Sequence, residues 1–497
     1  MSKNNQLFSS KRLVMIITTT VFSFSSLTTA FFLMGMKALP YFIWAAAFYF
    51  IPYALIISEF TAIYKNDSGG LYKWLSDCLS ERTAFIAAFL WYCSYFVWMI
   101  SLFMKLWIPL SLLLFGKDLT KQPSPIPFVS TTQLIGFLSI LAVCFTLFIV
   151  SKGFKQIAYL LYASSVLMFL LVFISFSSNF ILWLAHPEEI TIHLLSSIRS
   201  VASTSQNTVV SQLTFLIFAV TAFGGLDTIA SLVDKTGQQK KRFSKLVIFS
   251  SVLIVICYFM GLLLWSGALN WQELQKDQSL HLGNLMYTLM NESGQRVAES
   301  LGGTIEINQF IGQLFTRLTA LTLLISYIAL LSSIFYLPLR VLVEGTPKHY
   351  WPSWVRKRNT HNIPANALLV QGGLIILFIS MISWGNSYVT LLYNQLTMMT
   401  NISRALPYLL VALAYPAFKR KYSEQTERPP YRVKLLPYFL SASVALTIAV
   451  SIFSQLYLPL IEKEYTQMLS LAIGPLFFAG IGAWLYQRFF RKGIVNQ

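Results

Sequence analysis

The chain has few charged residues. Only 11% of its 497 residues are Asp, Glu, Lys or Arg, whereas about 25% of an ordinary soluble domain is charged. Hydrophobic residues make up 56% of the chain. This balance excludes a water-soluble enzyme. It predicts a helical membrane protein, because each membrane crossing needs about 20 mainly apolar residues.

Cysteine is also scarce, and no metal or nucleotide motif is present. The four cysteines lie singly in or beside apolar segments without a CxxC pair, so neither a disulfide framework nor a zinc site is predicted. By the span boundaries given below the five histidines fall in loops without metal-ligand spacing, and no GxxxxGK[ST] phosphate loop occurs. We therefore expect no cofactor, no metal site and no use of ATP.

Twelve apolar runs are long enough to cross a membrane. Each is predicted to be a helix, because backbone groups surrounded by lipid must form hydrogen bonds within their own segment. The predicted spans are residues 12–36, 39–63, 83–110, 130–150, 156–180, 211–233, 245–266, 308–339, 366–384, 387–418, 436–459 and 466–490. The gap at 267–307 is expected to carry short helices over the external mouth.

The net charge of +18 comes from Lys and Arg in short segments between the spans. A nucleic-acid partner would need a basic soluble surface, so none is expected. Basic clusters at residues 240–242, 356–358 and 419–421 all fall on one side when the termini are placed on that side. Because cytoplasmic loops of membrane proteins collect Lys and Arg, both termini are predicted to be cytoplasmic, in a bacterial-type plasma (inner) membrane.

Two of the spans are interrupted by small and polar residues. Ser23-Phe24-Ser25-Ser26 interrupts the first span, and Thr221-Ala222-Phe223-Gly224-Gly225 interrupts the sixth. Paired interruptions at corresponding positions indicate a transporter built from inverted repeats, in which half-helix ends face a substrate near the bilayer midplane. The alternative is close helix packing through small residues.

Further motifs lie in three segments: Ile51-Pro52, Glu59, Gly69-Gly70, Trp74 and Arg82; Phe223-Gly224-Gly225-Leu226-Asp227; and Arg340, Pro352 and Asn362-Ile363-Pro364-Ala365-Asn366-Ala367. In these segments the chain resembles the amino acid-polyamine-organocation transporters, and it is most similar to their glutamate/GABA antiporter branch. The three segments together cover most of the first ten spans.

The resemblance implies an all-α integral membrane protein with a LeuT-like core. Two inverted five-helix repeats, residues 12–180 and 211–418, would be followed by two additional helices at 436–490 in one transporter domain. The implied activity is secondary active transport of a small-molecule substrate, an amino acid or related amine, and exchange without a dedicated ion is the favoured form. The implied substrate-binding residues are Ser23, Ser25, Ser26, Phe223, Gly224, Gly225 and Asp227.

The chain departs from the family pattern at both breaks. Ser and Phe occupy the first break where family members often have glycine, and Asp227 is one methylene shorter than the usual Glu. Asp227 is expected either to bind a substrate ammonium or to hold the sixth helix open.

Four further residues are candidates for gating or coupling. Tyr95 or Trp98 could cap the substrate together with Phe223, while Glu59 is expected to pair with a nearby Lys or Arg. Arg404 lies within span ten, where it could neutralise an anionic substrate, close a gate or pack against backbone carbonyls. An ionisable residue within a span is a functional candidate because its burial in lipid costs several kcal/mol.

Other functions are open at this point. A nutrient sensor on the same scaffold, or a proton- or sodium-coupled symporter, would have the same sequence features. A channel would need a continuous polar stripe, and a membrane-embedded enzyme would need a clustered nucleophile, base or metal set; the sequence has neither. The sequence does not predict an oligomeric state.

Overall fold

The computed structural model describes residues 9–199, 209–276, 280, 282–385, 387–422 and 435–490. Within these ranges the regular structure is helical, and the sole β feature is an isolated bridge between Arg358 and Pro364. The all-α class predicted from the sequence is confirmed.

Ten helices form the first part of the chain, up to residue 199. They are α1 Ser10–Val21, α2 Phe24–Met34, α3 Ala38–Trp44, α4 Ile51–Ile63, α5 Gly70–Cys78, α6 Glu81–Lys105, α7 Trp107–Phe115, α8 Thr131–Ser151, α9 Phe154–Ala185 and α10 Pro187–Arg199.

Ten more helices follow in the described part of the second half. They are α11 Val209–Ala222, α12 Leu226–Ala230, α13 Phe243–Ala268, α14 Trp271–Lys276, α15 Leu285–Ser300, α16 Ile305–Val343, α17 Ala365–Trp384, α18 Ser387–Lys421, α19 Leu436–Ile461 and α20 Tyr465–Leu485. Helices α14 and α15 occupy the gap where short helices were predicted.

Ten helical stretches of the described chain are long and apolar enough to cross a membrane. The first, Ser10–Ile63, has 54 residues and would be about 80 Å long if straight, far more than one crossing needs. It therefore contains the first two predicted spans, which are separated at Gly35. Helix α18, the counterpart of span ten, is not among these ten stretches. Each of the twelve predicted spans thus has a helical counterpart.

A proline shapes the second span. Helix α4 begins beside Pro52, just after a π-helical turn at Ala45–Phe50. Proline has no N–H to donate to the carbonyl four residues earlier, that of Phe48. The Ser443 hydroxyl of α19 donates to Phe48 O instead, at 2.7 Å. One of the two additional helices thus satisfies a backbone group that the Ile-Pro motif leaves open.

The buried core brings the ends of both interrupted spans together. Helix α1 packs against α9, α12 and α13, and the long α16 packs against α6 and α9. Outside this core, large side chains such as Phe145, Phe173 and Phe453 are exposed, as expected for helices that face lipid.

The placement of one histidine in a loop is wrong. His193 lies within α10, where it is buried and its Nδ1 is 3.1 Å from Gly267 O. Helix α10 continues the polypeptide beyond α9 as a separate helix, which the apolar-run boundaries did not include.

Candidate functional site

The first span breaks at Phe22 and Ser23. Helix α1 ends at Val21, both following residues have extended backbone angles, and α2 begins at Phe24. The Ser23 hydroxyl accepts a hydrogen bond from the Ser26 amide at 3.2 Å. Serine favours this helix-capping position because its oxygen replaces a missing backbone acceptor. The break therefore forms without glycine.

The predicted extent of this break, residues 23–26, is wrong beyond Ser23, because α2 begins at Phe24. Ser25 and Ser26 lie in the first turn of α2, and the first backbone bond of that helix joins Leu27 N–H to Ser23 O at 3.1 Å. The amides of Phe24 and Ser25 precede this ladder, so they have no partner within the helix. Ser23, Ser25 and Ser26 are partly accessible. The resulting helix N-terminus suits an anion such as a carboxylate.

The sixth span breaks at residues 223–225, which lie within the predicted interruption 221–225, whereas Thr221 and Ala222 belong to α11. Helix α11 ends at Ala222 and α12 starts at Leu226. Gly225 has φ +112°, a left-handed conformation that side chains other than that of glycine rarely adopt. A Cβ atom on Gly225 would lie 3.1 Å from Thr20 O. Glycine therefore provides both the turn and the close approach to the end of α1.

One tyrosine joins the two breaks, and the sequence analysis missed it. The Tyr258 hydroxyl in α13 accepts from Ser23 N–H at 3.1 Å and donates to Ala222 O at 3.0 Å. Its ring packs against Phe22 and Phe223, with centroid distances of 4.9 and 5.1 Å. These two peptide groups are therefore not bare. The available signal was a tyrosine inside an apolar span, because a buried hydroxyl usually has a partner.

Asp227 lies at the start of α12 and is fully buried, with 0% of its surface exposed. One carboxylate oxygen accepts from the Trp91 indole N–H at 2.6 Å, and the other has no hydrogen-bond partner in the part of the chain that the structure describes. Among the described residues no Lys or Arg lies within ion-pair distance of it. In this conformation Asp227 connects the second half of the sixth span, α12, to α6.

Tyr95 and Tyr408 lie beside the same half-helix. The hydroxyls of Tyr95 and Thr228 share a hydrogen bond at 2.9 Å. A Cβ atom on Gly224 would be 3.4 Å from the Tyr408 hydroxyl. Residues of α6 and α18 therefore close around the second break, and Tyr408 is a site residue that the sequence analysis did not single out.

Phe223 is packed away from the aromatic residues with which it was expected to cap a substrate. Its ring stacks on Phe50 with a centroid distance of 4.6 Å and an interplanar angle of 20°. Tyr95 instead contacts Trp91 and Trp98, at 5.2 and 5.9 Å. The structure does not bring these predicted cap residues together, because Phe223 fills an apolar cluster with the second span.

Arg404 lies in α18 over the face of Trp98. The guanidinium carbon is 4.7 Å from the ring centroid, and Nη2 donates to Asn401 Oδ1 at 3.1 Å. The expected packing against backbone carbonyls is not found among its described hydrogen bonds. Its side chain meets an aromatic face and an amide instead.

Glu59 has the basic partner that the sequence predicts. Lys419 Nζ lies 2.8 Å from Glu59 Oε1, and the Tyr415 hydroxyl donates to Oε2 at 2.9 Å. Both partners belong to α18, so the buried carboxylate connects the second span to the tenth. This contact supports a structural role for Glu59.

A second buried ion cluster centres on Arg340, whose surface is 1% exposed. Its guanidinium donates to both carboxylate oxygens of Asp234 and, at 3.3 Å, to Glu344 and Ser231 O. It therefore joins α16 to the segment after α12. The sequence analysis named Arg340 only as part of a motif, because its partner Asp234 lies 106 positions away.

A third cluster lies on helix α5 at the same end of the molecule. Lys73 Nζ donates to Asp77 at 3.0 Å, and so does the Tyr64 hydroxyl. Burial alone would raise the pKa of Asp77, but these hydrogen bonds lower it below its ordinary value. Together the three clusters connect the loops of the face predicted to be cytoplasmic.

Comparison with known proteins identifies the family. The model of a family described as amino acid permease matches residues 8–473. The chain belongs to the amino acid permease family. This match confirms the resemblance to amino acid-polyamine-organocation transporters, and it makes the protein a membrane transporter rather than an enzyme.

Named relatives agree with this assignment. The permease is 32% identical over 485 residues to the inner membrane transporter YjeM of Escherichia coli, covering 96% of this chain and 95% of the relative. It is 23% identical to the aspartate/glutamate permease AcaP of Lactococcus lactis subsp. cremoris, covering 75% and 72%. It is 22% identical to a glutamate/gamma-aminobutyrate antiporter of Lactococcus lactis subsp. lactis, covering 78% and 70%. The permease is thus a multi-pass inner-membrane protein with a small-molecule substrate.

Proposed function

We propose that this permease exchanges amino acids or related amines across the plasma membrane by alternating access. The observation that supports this most directly is the contact between the two broken spans. Gly225 of the second break lies against Thr20 of the first, and Tyr258 bonds to a peptide group of each. Beside this contact the amides of Phe24 and Ser25 have no partner within α2, and open helix ends of this kind replace water around a zwitterion at low cost.

The two charges of an amino acid would meet different helix ends. The α-carboxylate would accept from the amides of Phe24 and Ser25 at the positive end of α2, with the Ser23 and Ser25 hydroxyls nearby. The ammonium would face the negative end of α1, close to Thr20. Asp227 would hold the second break open through Trp91. Ser26, Phe223, Gly224 and Gly225 would shape the remaining wall of the site.

Alternation would come from the two predicted repeats. Residues 12–180 and 211–418 would rock against each other, while 436–490 would pack outside. The buried ion clusters of Glu59 and Arg340 would stabilise the closed state of the predicted cytoplasmic face. Antiport is favoured because one of the relatives named above is a glutamate/gamma-aminobutyrate antiporter.

Flux in proteoliposomes tests the proposal. We expect purified permease to take up radiolabelled amino acid when the vesicles contain unlabelled substrate, and much less when they are empty, because exchange needs a returning substrate. Imposed proton and sodium gradients separate the alternatives. Uptake into empty vesicles that follows either gradient would identify a symporter, and binding without flux would identify a sensor. Protein-free vesicles provide the background.

A further inference from the structure

Two cations of the long helices α16 and α18 have carboxylate partners, and a third cation of α18 has none among the described residues. Arg340 pairs with Asp234 and Glu344, and Lys419 pairs with Glu59. Arg404 makes no ion pair with a carboxylate in the described part of the chain. Its guanidinium rests on Trp98, Nη2 reaches Asn401, and Nε is buried without an acceptor. Its positive charge is therefore uncompensated.

Arg404 lies next to the second break. It is one helical turn before Tyr408, whose hydroxyl lies beside Gly224. Trp98, which it covers, is one turn along α6 from Tyr95, and Tyr95 bonds to Thr228 of α12. Since α6 and α18 pack together, the guanidinium lies in the layer adjacent to the Tyr95 and Tyr408 hydroxyls. It is close to the place where a substrate would meet the broken sixth span.

A partly buried arginine without an anion is costly in a membrane, so such a residue is a functional candidate. Its planar group of N–H donors binds a carboxylate more strongly than a neutral amide, because charge-assisted hydrogen bonds are about twice as strong as neutral ones. Stacking on Trp98 fixes the orientation of the Arg404 guanidinium plane. The N–H donors that do not bond to Asn401 can then bind a ligand. The nearby carboxylate of Asp227 is oriented toward Trp91 instead.

We infer that Arg404 binds the side-chain carboxylate of an acidic amino acid. The permease then selects acidic substrates over their neutral amides. This inference rests on the proposed function, since it adds a second anchor to the α-carboxylate site at the start of α2. Arg340 and Lys419 remain bound to protein carboxylates, so Arg404 supplies the specificity.

Glutamate and glutamine form the sharpest test, because they have nearly the same shape and differ by one charge. Uptake of each is measured in proteoliposomes preloaded with the same unlabelled amino acid. For the unmodified permease we expect kcat/KM for glutamate to exceed that for glutamine by at least about 30-fold. Arg404→Gln should remove this preference by lowering glutamate uptake, while glutamine uptake changes less than about threefold.

Two further variants complete the experiment. Arg404→Lys keeps the charge but loses the planar donor group, so glutamate KM should rise while glutamine uptake stays unchanged. Arg317→Gln is the matched control, because Arg317 is exposed on α16; it should keep the preference. Glutamine uptake reports that each variant is folded.

The inference is overturned if the unmodified permease does not prefer glutamate, a result that needs no variant. It is also overturned if Arg404→Gln lowers uptake of both amino acids equally, as loss of packing would. If neither amino acid nor any other is transported, the proposed function itself is wrong. Transport of neutral amino acids without acidic preference would leave that function intact and reject only the role of Arg404.

Discussion

Single side chains carry much of the connection between the broken spans. Tyr258 satisfies a donor of the first break and an acceptor of the second with one hydroxyl. A buried peptide group left without a partner costs about 1–3 kcal/mol. Tyr258 therefore stabilises two irregular turns that packing alone would leave with open backbone groups.

Removing this hydroxyl should weaken both breaks. In Tyr258→Phe the ring stays in its aromatic cluster, but Ser23 N–H and Ala222 O lose their partner. We expect a loss of stability of about 1–3 kcal/mol, measured as a lower thermal unfolding midpoint in detergent, together with slower exchange.

Tyr53→Phe is a matched control for this variant. The Tyr53 hydroxyl is buried without a hydrogen-bond partner among the described residues, so its removal breaks no bond and should leave stability unchanged or higher. Equal unfolding midpoints for the two variants would show that the Tyr258 bonds do not matter.

At the scale of the helices, the two breaks use different devices. Ser23 caps α2 with its side chain, whereas Gly225 turns the chain with a left-handed backbone. Serine suffices in the first break because Ser23 has an extended backbone, which any residue adopts. Only the second break needs glycine, because its turn lies directly on Thr20.

Gly225→Ala should therefore damage the contact between the helix ends. The added Cβ meets Thr20 O at 3.1 Å and must also accept φ +112°. Strained backbone of this kind costs about 1–3 kcal/mol, so we expect a lower unfolding midpoint and slower exchange, both measured as for Tyr258→Phe.

Gly373→Ala provides the comparison for that prediction. Gly373 lies inside α17, and a Cβ there would meet no atom within 4 Å. Alanine should keep or increase stability at this position by up to about 1 kcal/mol. A Gly225→Ala protein as stable and active as Gly373→Ala would contradict the strained role of Gly225.

The charge distribution of the whole molecule sets its expected orientation. The Arg340, Lys419 and Lys73 clusters lie at the face whose loops also hold the basic runs at residues 240–242, 356–358 and 419–421. Lys and Arg resist translocation, so this face should be cytoplasmic. The terminal residues 1–8 and 491–497 lie outside the described ranges, and their location stays a prediction.

Reporter fusions test this orientation. Green fluorescent protein fused to the C-terminus should fluoresce and alkaline phosphatase there should be inactive, because the first matures in the cytoplasm and the second outside it. Fusions after Lys117, between spans three and four, should give the reverse result. A C-terminal fusion with active phosphatase would show that the charge argument assigns the wrong side.

The sequence alone predicted the length and polarity of the membrane spans. All twelve predicted spans have helical counterparts, because backbone groups in lipid must form hydrogen bonds within their own helix. Both breaks lie where small or polar residues interrupt apolar runs. The pairing of Glu59 with a basic residue was also predicted, since a buried carboxylate needs a counter-charge.

The sequence did not predict the contacts between residues that are far apart in the chain. Tyr258 is 235 positions from Ser23, and Asp234 is 106 positions from Arg340. Local sequence patterns do not predict contacts between residues so far apart. The division into two repeats, 12–180 and 211–418, and the roles of the substrate-site residues stay predictions.

The sequence by itself determined the class of protein, the spans and the places where two of them break, because hydrophobic length and helix-breaking residues act locally. Only the tertiary structure decided which side chains complete those breaks and which charges remain without a partner. Hydrogen bonds and ion pairs depend on distances of a few ångströms between helices, and those distances exist only after the helices have packed. Arg340 and Arg404 both lie in long helices, and only the packing gives Arg340 a carboxylate partner while Arg404 has none among the described residues.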